Sequence, residues 1–275
     1  MLIKWLSTRS RFFGVSLLCA TALATLWGCA SSPLGRSQLV LFPESRMAEM
    51  GTLAYQELRT STPASRDGRA NDYVSCVARA IIDANPDLSS RSWEITLFDG
   101  DQANAFALPG GKLGVYSGML RVAQNQDQLA AVIGHEFAHV IARHGNERVS
   151  ANYASQSVLQ VAAIAAGGAG GARSELFSLL GVGAEVGVLL PFGRAQESEA
   201  DLVGLDYMAN AGFDPGEASN LWRNMAAASG GSSQPGFLST HPAPEDRIRK
   251  LDARAPEAAK LAVEARVSGR SPSCG

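Results

Sequence analysis

The sequence predicts an α+β fold that is mainly helical and carries a small group of β-strands. The longer segments repeat their apolar residues at the three-to-four-residue spacing of an amphipathic helix. Between residues 93 and 116, short apolar segments are instead separated by glycine, proline and polar residues, which is typical of strands. Of the 275 residues, 46% are hydrophobic and 18% are charged, so the chain can bury a core and extensive disorder is excluded.

The N-terminal residues have the pattern of an export signal. Three basic residues and no acidic one precede an uncharged run over residues 12–27. That run is short for a membrane-spanning helix and normal for the apolar part of a signal peptide. We therefore predict a signal peptide over residues 1–28.

Residues 26–29, with the sequence Leu-Trp-Gly-Cys, resemble the lipobox of bacterial lipoproteins. The resemblance implies cleavage before Cys29 and acylation of that cysteine, with an ordinary signal peptide or an anchor helix as the alternative. Residues 29–43 would then form a lipidated tether that attaches the protein to a membrane. Because Ala30 follows the cysteine in place of aspartate, analogy with lipoprotein sorting predicts the outer membrane, on the side that faces the periplasm.

Removal of this signal changes the net charge of the chain. The whole sequence has 24 Lys and Arg residues against 26 Asp and Glu residues; without Lys4, Arg9 and Arg11 the count is 21 against 26, a net charge of −5. A mildly acidic chain without a basic cluster predicts no binding to nucleic acid.

Four cysteines are distributed along the sequence. Cys19 leaves with the predicted signal and Cys29 receives the lipid, so Cys76 and Cys274 remain. In an oxidising compartment these two can form a long-range disulfide. Two unpaired thiols are an equal alternative, because Cys274 lies in a C-terminal tail, residues 256–275, that we expect to fray.

Apolar periodicity and capping residues predict the elements of the main domain, which we place at residues 44–255. They are helices over 44–59 and 71–84, strands over 93–97, 104–108 and 113–116, and helices over 127–144, 195–210, from 215 onward and over 244–253. Residues 149–172 carry no charge; their polar and glycine content predicts a buried helix and a glycine-rich loop, with a membrane span as the alternative. Residues 176–192 have a similar character, and residues 230–236 are predicted to form a loop.

The motif that indicates chemistry lies in the helix predicted over residues 127–144. His135 and His139 stand four residues apart in the pattern His-Glu-x-x-His, so their imidazoles share one helix face and can bind a single Zn²⁺. Glu136 points toward the apolar side, where a carboxylate is costly unless a nearby group compensates it. Water activated by the metal would do so, with Glu136 as the general base for peptide hydrolysis. Two surface histidines on an ordinary helix are the alternative.

A hydrolytic zinc site also needs a third protein ligand. In a continuous helix His144 lies about 140° around the axis from His139 and is expected to face elsewhere. Glu197 and Asp201 share a face of a later helix; one can bind the metal while the other accepts a hydrogen bond from a ligand histidine. Spacing alone leaves the assignment of these two roles open, and we expect Glu199 to be exposed to solvent.

Together these motifs resemble the HtpX, BepA and LoiP group of membrane-associated zinc endopeptidases, gluzincins that also include the CAAX prenyl protease. The resemblance extends over about residues 35–251. Four blocks carry it: residues 104–111, residues 135–144, residues 190–201, and residues 239–242 with Arg247. The chain is most similar to short LoiP-like lipoprotein proteases, because a lipid anchor replaces the spanning helices of HtpX-like members and the sequence stops before the helical repeats of BepA-like members.

The resemblance implies a zincin fold, in which a small twisted β-sheet lies over the active-site helix. It also implies one Zn²⁺ per chain, bound by His135 and His139 with Glu197 as the third ligand. Asp201 is then the carboxylate that supports a ligand histidine.

The resemblance also gives roles to residues outside the metal-binding helices. His241 would either stabilise the oxyanion or act as a removable fourth ligand, and Arg247 would position His241 or the site carboxylates. The strand around Asn104, Ala105 and Phe106 would hold an extended substrate by β-addition. The alternatives are a histidine that caps a loop, an arginine in solvent and an ordinary edge strand.

The sequence therefore predicts a zinc-dependent endopeptidase that hydrolyses misfolded or misassembled cell-envelope proteins in periplasmic protein quality control. Those proteins would be its partners, together with the membrane reached through the lipid anchor. The alternative from another functional class is a chaperone or assembly factor for outer-membrane proteins with little or gated proteolysis. A protein that only binds its clients needs no general base at Glu136, which favours the enzyme.

Overall fold

The computed structural model of the chain describes residues 29–165, 192–229, 236–241 and 245–275. The predicted signal peptide lies outside the described residues, as do parts of the predicted segments at 149–172, 176–192 and 230–236. Among the described helices, none combines the length and the apolar composition needed to cross a bilayer.

The described residues form an α+β fold that is mostly helical, which confirms the predicted class. The strands are β1 (Cys29–Ser31), β2 (Ser37–Leu39), β3 (Glu94–Phe98), β4 (Ala105–Leu108) and β5 (Lys112–Tyr116). The longer helices are α1 (Glu44–Ser61), α2 (Gly68–Ala84), α3 (Gln126–Ile141), α4 (His144–Ala165), α5 (Arg194–Asn210), α6 (Glu217–Ser229) and α7 (Glu245–Val267). One-turn helices lie at Pro86–Ser89, Met119–Val122 and Phe237–Thr240.

The main sheet has three strands in the order β3-β5-β4, so β4 is an edge strand. β3 runs parallel to β5, whereas β4 is antiparallel to it and is joined to it by a tight turn. Gly110 and Gly111 form this turn with φ values of +86° and +73°, and a Cβ at Gly111 would lie 1.9 Å from the carbonyl oxygen of Ser92. Only glycine fits there, because it tolerates positive φ and has no side chain.

Helix α3 lies at the centre of the fold, between the sheet and α5. The two helices approach closely because Gly134 faces Gly204: a Cβ added at Gly134 would lie 2.6 Å from the carbonyl oxygen of Gly204. Leu129, Ile133 and Phe137 on α3 are fully buried in the main core. This close packing brings the His-Glu-x-x-His segment of α3 against the acidic first half of α5.

Helix α3 ends earlier than the sequence predicts. The predicted helix over 127–144 is divided at Arg143, a non-glycine residue with φ of +56°, after which α4 begins at His144. A left-handed residue reverses the local direction of the chain and cannot continue an α-helix. His144 therefore does not occupy the position that a continuous helix would give it.

Residues 29–39, which the sequence suggested as part of a tether, form a two-stranded antiparallel hairpin of β1 and β2. We refer to residues 29–39 as the N-terminal hairpin. The side-chain amide of Gln38 donates a hydrogen bond to the carbonyl oxygen of Ala142 at 2.6 Å. Just after the hairpin, the N–H of Leu41 donates to Ser150 Oγ at 2.9 Å. The hairpin thus packs against the junction of α3 and α4.

The C-terminal residues, which we expected to fray, are ordered against the domain. Helix α7 continues past Pro256 as far as Val267, and Cys274 forms a disulfide with Cys76 of α2. The side-chain amide of Gln126 donates to the carbonyl oxygen of Pro272 at 2.9 Å. Of the two alternatives for these cysteines, the structure contains the disulfide.

Candidate active site

Four buried side chains converge where α3 faces α5. His135 and His139 come from α3, Glu197 from the first turn of α5, and His241 directly follows the one-turn helix Phe237–Thr240. One potential ligand atom from each of them lies within 4.8 Å of the other three, which is close enough to share one metal ion. We refer to these four residues as the metal cluster.

The distances within the metal cluster fit a zinc site. The Nε2 atoms of His135 and His139 are 3.0 Å apart, and they lie 3.6 and 3.5 Å from the carboxylate oxygens of Glu197. Nδ1 of His241 is 3.0 Å from Glu197 Oε1. Imidazole nitrogens with one carboxylate are a ligand set that Zn²⁺ commonly takes, and the chemistry of these donors therefore fits the metal that the motif predicts.

The charges of the cluster suit a cation. Burial by itself would raise the pKa of Glu197, but its contacts with the three histidines hold it far below its usual range, so the carboxylate is charged. Burial lowers the pKa of His139 well below its usual value and lowers that of His241 to about 4. Burial also opposes the charged form of His135, but the nearby carboxylates of Asp201 and Glu197 raise its pKa to about 9. A carboxylate and mostly neutral imidazoles are the forms that bind metal.

His135 is supported by a carboxylate and a buried arginine. Asp201 Oδ1 is 3.1 Å from Nδ1 of His135, the ring nitrogen opposite the cluster. Arg247 of α7 binds both oxygens of Asp201, at 2.6 and 2.7 Å, and its Nη1 lies 2.6 Å from Glu197 Oε2. The guanidinium also lies 3.9 Å from the ring centre of Trp222. The structure thus places Asp201 and Arg247 directly behind the predicted metal ligands.

Glu136 is buried between the cluster and the edge strand. Its Oε2 accepts a hydrogen bond from the N–H of Ala107 at 3.1 Å, and its Oε1 is 3.4 Å from Nε2 of His241. Within the described residues, Oε1 has no hydrogen-bond partner. Burial raises the pKa of Glu136 to about 8, so the carboxyl group can both accept and release a proton near neutral pH.

The pairing of β4 with β5 determines which backbone groups of the edge are available. The N–H of Tyr116 donates to the carbonyl oxygen of Asn104 at 2.9 Å, so every second residue from Asn104 bonds to β5. The backbone groups of Ala105 and Ala107 consequently face away from the sheet, whereas those of Phe106 face β5. The ring of Phe106 packs against Phe98, with ring centres 5.8 Å apart.

Of the three predicted substrate-binding residues, Ala105 therefore has backbone groups that face away from β5, but the residue is 2% exposed and its N–H donates to Asn104 Oδ1 at 3.0 Å. The sequence did not identify Ala107, because the register of β4 against β5 decides which backbone groups of the strand face outward.

A cleft of about 460 Å³ lies between this edge strand and α1. Residues 104–110 form one wall, and Glu136, His139 and His241 also line the cleft. Much of the rest is apolar, provided by Val40, Phe42, Met47, Met50, Val140 and Val149. An extended peptide chain alongside β4 would therefore lead directly to the metal cluster.

A second supporting network lies behind His139, and the sequence did not predict it. Nδ1 of His144 is 2.9 Å from Nδ1 of His139, and Nε2 of His144 is 3.1 Å from Glu199 Oε2. The expectations that His144 faces elsewhere and that Glu199 is exposed are both wrong, since both side chains are buried. The reason for the position of His144 is the break in the helix at Arg143, which places the His144 ring next to Nδ1 of His139.

Aromatic rings enclose the cluster. Phe192 stacks on His139 with ring centres 4.0 Å apart, and Phe237 stacks on His241 at 4.2 Å. The N–H of Phe192 donates to the carbonyl oxygen of Thr240 at 3.1 Å, which fixes these two segments together. Both rings limit the access of water to the metal ligands.

Comparison with known proteins agrees with this geometry. The model of the family described as peptidase family M48 matches residues 68–255. The mitochondrial metalloendopeptidase OMA1 of Schizosaccharomyces pombe is 40% identical over 187 residues, covering 68% of this chain and 53% of that protein. OMA1 of Saccharomyces cerevisiae is 35% identical over 215 residues, covering 70% and 56%.

A bacterial relative, the beta-barrel assembly-enhancing protease of Yersinia pestis, is 30% identical over 217 residues, covering 75% of this chain and 43% of that protein. The chain thus spans about half the length of the curated relatives it matches. The family match agrees with the predicted zincin-like domain, whereas the narrower likeness to HtpX and to short LoiP-like lipoproteins stays a prediction.

The predicted outer-membrane location is wrong. Relatives that are 40% and 35% identical are named as mitochondrial proteins rather than outer-membrane lipoproteins. The prediction came from the residue that follows Cys29, and a single position near the N-terminus is weaker evidence than similarity over most of the domain.

Proposed function

Since the chain belongs to peptidase family M48, we propose that it is a zinc-dependent endopeptidase with His135, His139 and Glu197 as metal ligands and Glu136 as the general base. The observation that carries the proposal is the metal cluster itself, in which four ligand atoms lie within 4.8 Å of one another beside a buried carboxyl group. A Zn²⁺ ion bound there supplies a Lewis acid that polarises the scissile carbonyl and acidifies a water molecule.

The protein groups perform the proton transfers and the positioning. Glu136 accepts the proton of the attacking water on Oε1, its oxygen without a hydrogen-bond partner within the described residues, and then donates that proton to the leaving nitrogen. The N–H of Ala107 holds Oε2 and so fixes the direction of the carboxylate. Asp201 and Arg247 orient His135 and keep Glu197 in place.

The edge strand supports a substrate without fixed sequence. The outward carbonyl groups of Ala105 and Ala107 can pair with an extended chain, which selects unfolded backbone rather than particular side chains. Their N–H groups already donate to Asn104 Oδ1 and Glu136 Oε2. We propose misfolded or misassembled cell-envelope proteins as the substrate class. Support comes from this geometry and from relatives named beta-barrel assembly-enhancing protease. Acylation of Cys29 remains a proposal that rests on the lipobox-like residues 26–29.

His241 is proposed as a removable fourth ligand. Its Nδ1 lies 3.0 Å from Glu197 Oε1 and 3.3 Å from Nε2 of His135, inside the metal cluster, and this favours ligation over the alternative of oxyanion stabilisation. In that position the imidazole blocks the open site that water needs. His241→Ala should then increase the initial rate of peptide hydrolysis, whereas a decrease would indicate the oxyanion role.

The experiment that tests the function is hydrolysis of unfolded casein by the purified, zinc-loaded protein. Glu136→Gln keeps the shape of the side chain but removes the base, so the rate should fall by about 10²–10⁴-fold. A chelator should abolish the wild-type activity, and readdition of zinc should restore it. Glu136→Gln protein should still bind zinc, which separates loss of the base from loss of the fold.

The opposite result would favour the chaperone. In that case neither wild-type nor His241→Ala protein would cleave casein when loaded with zinc. Both the wild-type and the Glu136→Gln proteins would instead suppress aggregation of an unfolded client to the same extent.

A further inference from the structure

We propose that His144 and Glu199 form a hydrogen-bonded relay that positions the metal ligand His139, and that Arg36 of the N-terminal hairpin holds this relay in place. The hairpin would then contribute to the active site, and His144, Glu199 and Arg36 would be positioning residues. The inference rests on the proposed function, because it takes His139 to be a metal ligand.

The first step is the tautomer of His139. Its Nε2 faces the metal cluster, 3.0 Å from His135 Nε2 and 3.5 Å from Glu197 Oε1. When Nε2 coordinates a metal, the ring proton must reside on Nδ1. Nδ1 is 2.9 Å from Nδ1 of His144, so the N–H of His139 donates to His144.

The second step follows from the first. Since Nδ1 of His144 accepts a hydrogen bond, its own proton lies on Nε2, which donates to Glu199 Oε2 at 3.1 Å. A single arrangement of protons therefore satisfies all three residues. Ligand histidines commonly donate their second N–H to a carboxylate, and here an additional imidazole connects the two.

The third step concerns the partners of Glu199. Its Oε2 also accepts from Nε of Arg36 at 3.2 Å, and its Oε1 accepts from the N–H of Leu34 at 3.1 Å. Leu34 and Arg36 both belong to the N-terminal hairpin. A carboxylate that is 3% exposed needs such partners, because burial without them is costly.

Arg36 also joins the two helices that contribute to the relay. Its guanidinium binds Glu199 of α5 on one side and Glu147 of α4 on the other, with Nη2 2.7 Å from Glu147 Oε2. Glu147 lies one turn after His144 on α4. Without Arg36, the carboxylates of Glu199 and Glu147 would lose their shared cation. Glu199 is one end of the relay and Glu147 lies on the helix that carries His144, so Glu199 and His144 would both be held less firmly.

A purely structural role is the competing explanation, and zinc affinity separates the two. A network that only holds α4 and α5 together affects the melting temperature. A network that orients His139 also affects the dissociation constant for zinc, and loss of such outer hydrogen bonds typically costs about 10–100-fold in metal affinity.

The chain offers a matched control. Arg254 also bridges a carboxylate of α5, Asp206, and a second carboxylate, Glu257, and its side chain is 28% exposed compared with 26% for Arg36. It has no contact with the metal cluster in the described residues. Arg254→Gln therefore removes an arginine of similar exposure that bridges two carboxylates, without affecting the relay; those carboxylates are 33% and 68% exposed, compared with 3% and 17% for Glu199 and Glu147.

The experiment measures the zinc dissociation constant by competition with a chromogenic chelator, and the melting temperature of the zinc-free protein, for the full chain. Glu199→Gln should raise the dissociation constant by about 10–100-fold and Arg36→Gln by about tenfold, with Arg36→Lys between Arg36→Gln and wild type. Arg254→Gln should leave it unchanged.

The proposal would be overturned if Arg36→Gln lowered the melting temperature and left the zinc affinity as unchanged as in Arg254→Gln. Wild-type protein that bound zinc but did not cleave casein would contradict the proposed activity and leave the relay supported by its affinities. Wild-type protein that bound no zinc would contradict both.

Discussion

The two histidines of the His-Glu-x-x-His segment are one helical turn apart, but the protein supports them in different ways. His135 contacts a carboxylate directly, Asp201, and that carboxylate is bound by Arg247. His139 reaches its carboxylate through a second imidazole, His144. Both carboxylates come from α5, and both are bound by an arginine from a distant part of the chain.

The difference lies in the environment of the two arginines. The side chain of Arg247 is 2% exposed and stacks on Trp222, whereas that of Arg36 is 26% exposed and belongs to the hairpin at the edge of the domain. Opposite charges attract more strongly where water is excluded, and exposed pairs contribute little to stability. The support of His135 is thus rigid and shielded, whereas the support of His139 depends on a segment that solvent and salt can reach.

The largest effect should come from breaking the shielded support. Arg247→Gln leaves Asp201 and Glu197 as buried carboxylates without their cation, which should lower the free energy of unfolding by about 3–5 kcal/mol. Zinc affinity should fall further than in Arg36→Gln, because Arg247 contacts both the proposed ligand Glu197 and Asp201, the partner of the proposed ligand His135. Chemical denaturation and chelator competition measure the two quantities.

Arg247→Lys is the control for this prediction. Lysine retains the charge but cannot bind Asp201 through two parallel hydrogen bonds, so its effect should be intermediate. Equal losses of zinc affinity in Arg247→Gln and Arg36→Gln would contradict the distinction between a shielded and an exposed support.

A contrast between local spacing and contacts distant in sequence explains what the sequence could predict. Spacing of three or four residues within one helix carries over directly into space, so spacing alone places the pairs His135–His139 and Glu197–Asp201 on common faces. The metal cluster assembles from such faces together with His241. The three strands of the main sheet are also predicted to within about a residue or two, because their alternation is local, whereas β1 and β2 were not predicted.

Features that depend on tertiary packing are not predictable in this way. The location of His144 depends on the left-handed residue Arg143, which no local pattern indicates. Burial of Glu199 depends on the approach of the N-terminal hairpin, and the outward direction of Ala107 depends on the register of β4 against β5. In each case a partner distant in sequence decides the environment.

The C-terminal helix gives a further example. The sequence predicts its end near residue 253, and proline in a helix interior, here Pro256, costs a hydrogen bond and creates a clash. Helix α7 nevertheless continues, since Ala258, Ala262 and Ala265 are buried against the domain. Burial of that apolar face offsets the local cost, and local propensity could not show it.

The smallest expected effect sharpens the comparison between the two arginines. The exposed support should be sensitive to salt, because the Arg36–Glu147 and Arg36–Glu199 pairs are partly open to water, whereas the buried Arg247 pairs are screened much less. Arg36→Gln should therefore lower the melting temperature of the zinc-free protein by more at low ionic strength than at about 1 M salt, where the buried Glu199 still lacks its partner. Arg247→Lys should lower it similarly in both.

Low pH should weaken the ion pairs of Arg36, as high salt does. Burial opposes the charged form of Glu147, but its hydrogen bonds from Arg36 and Gln196 lower its pKa below the usual value. A carboxyl group with a lowered pKa contributes stability above its unfolded pKa of about 4.3, and this contribution is lost as the pH falls through the folded value. The difference in melting temperature between wild type and Arg36→Gln should therefore shrink below about pH 5, where Glu147 begins to bind a proton in the unfolded chain. A difference that stayed constant in acid and in high salt would mean that Arg36 acts through packing, and that the two supports of the metal ligands are shielded to the same degree.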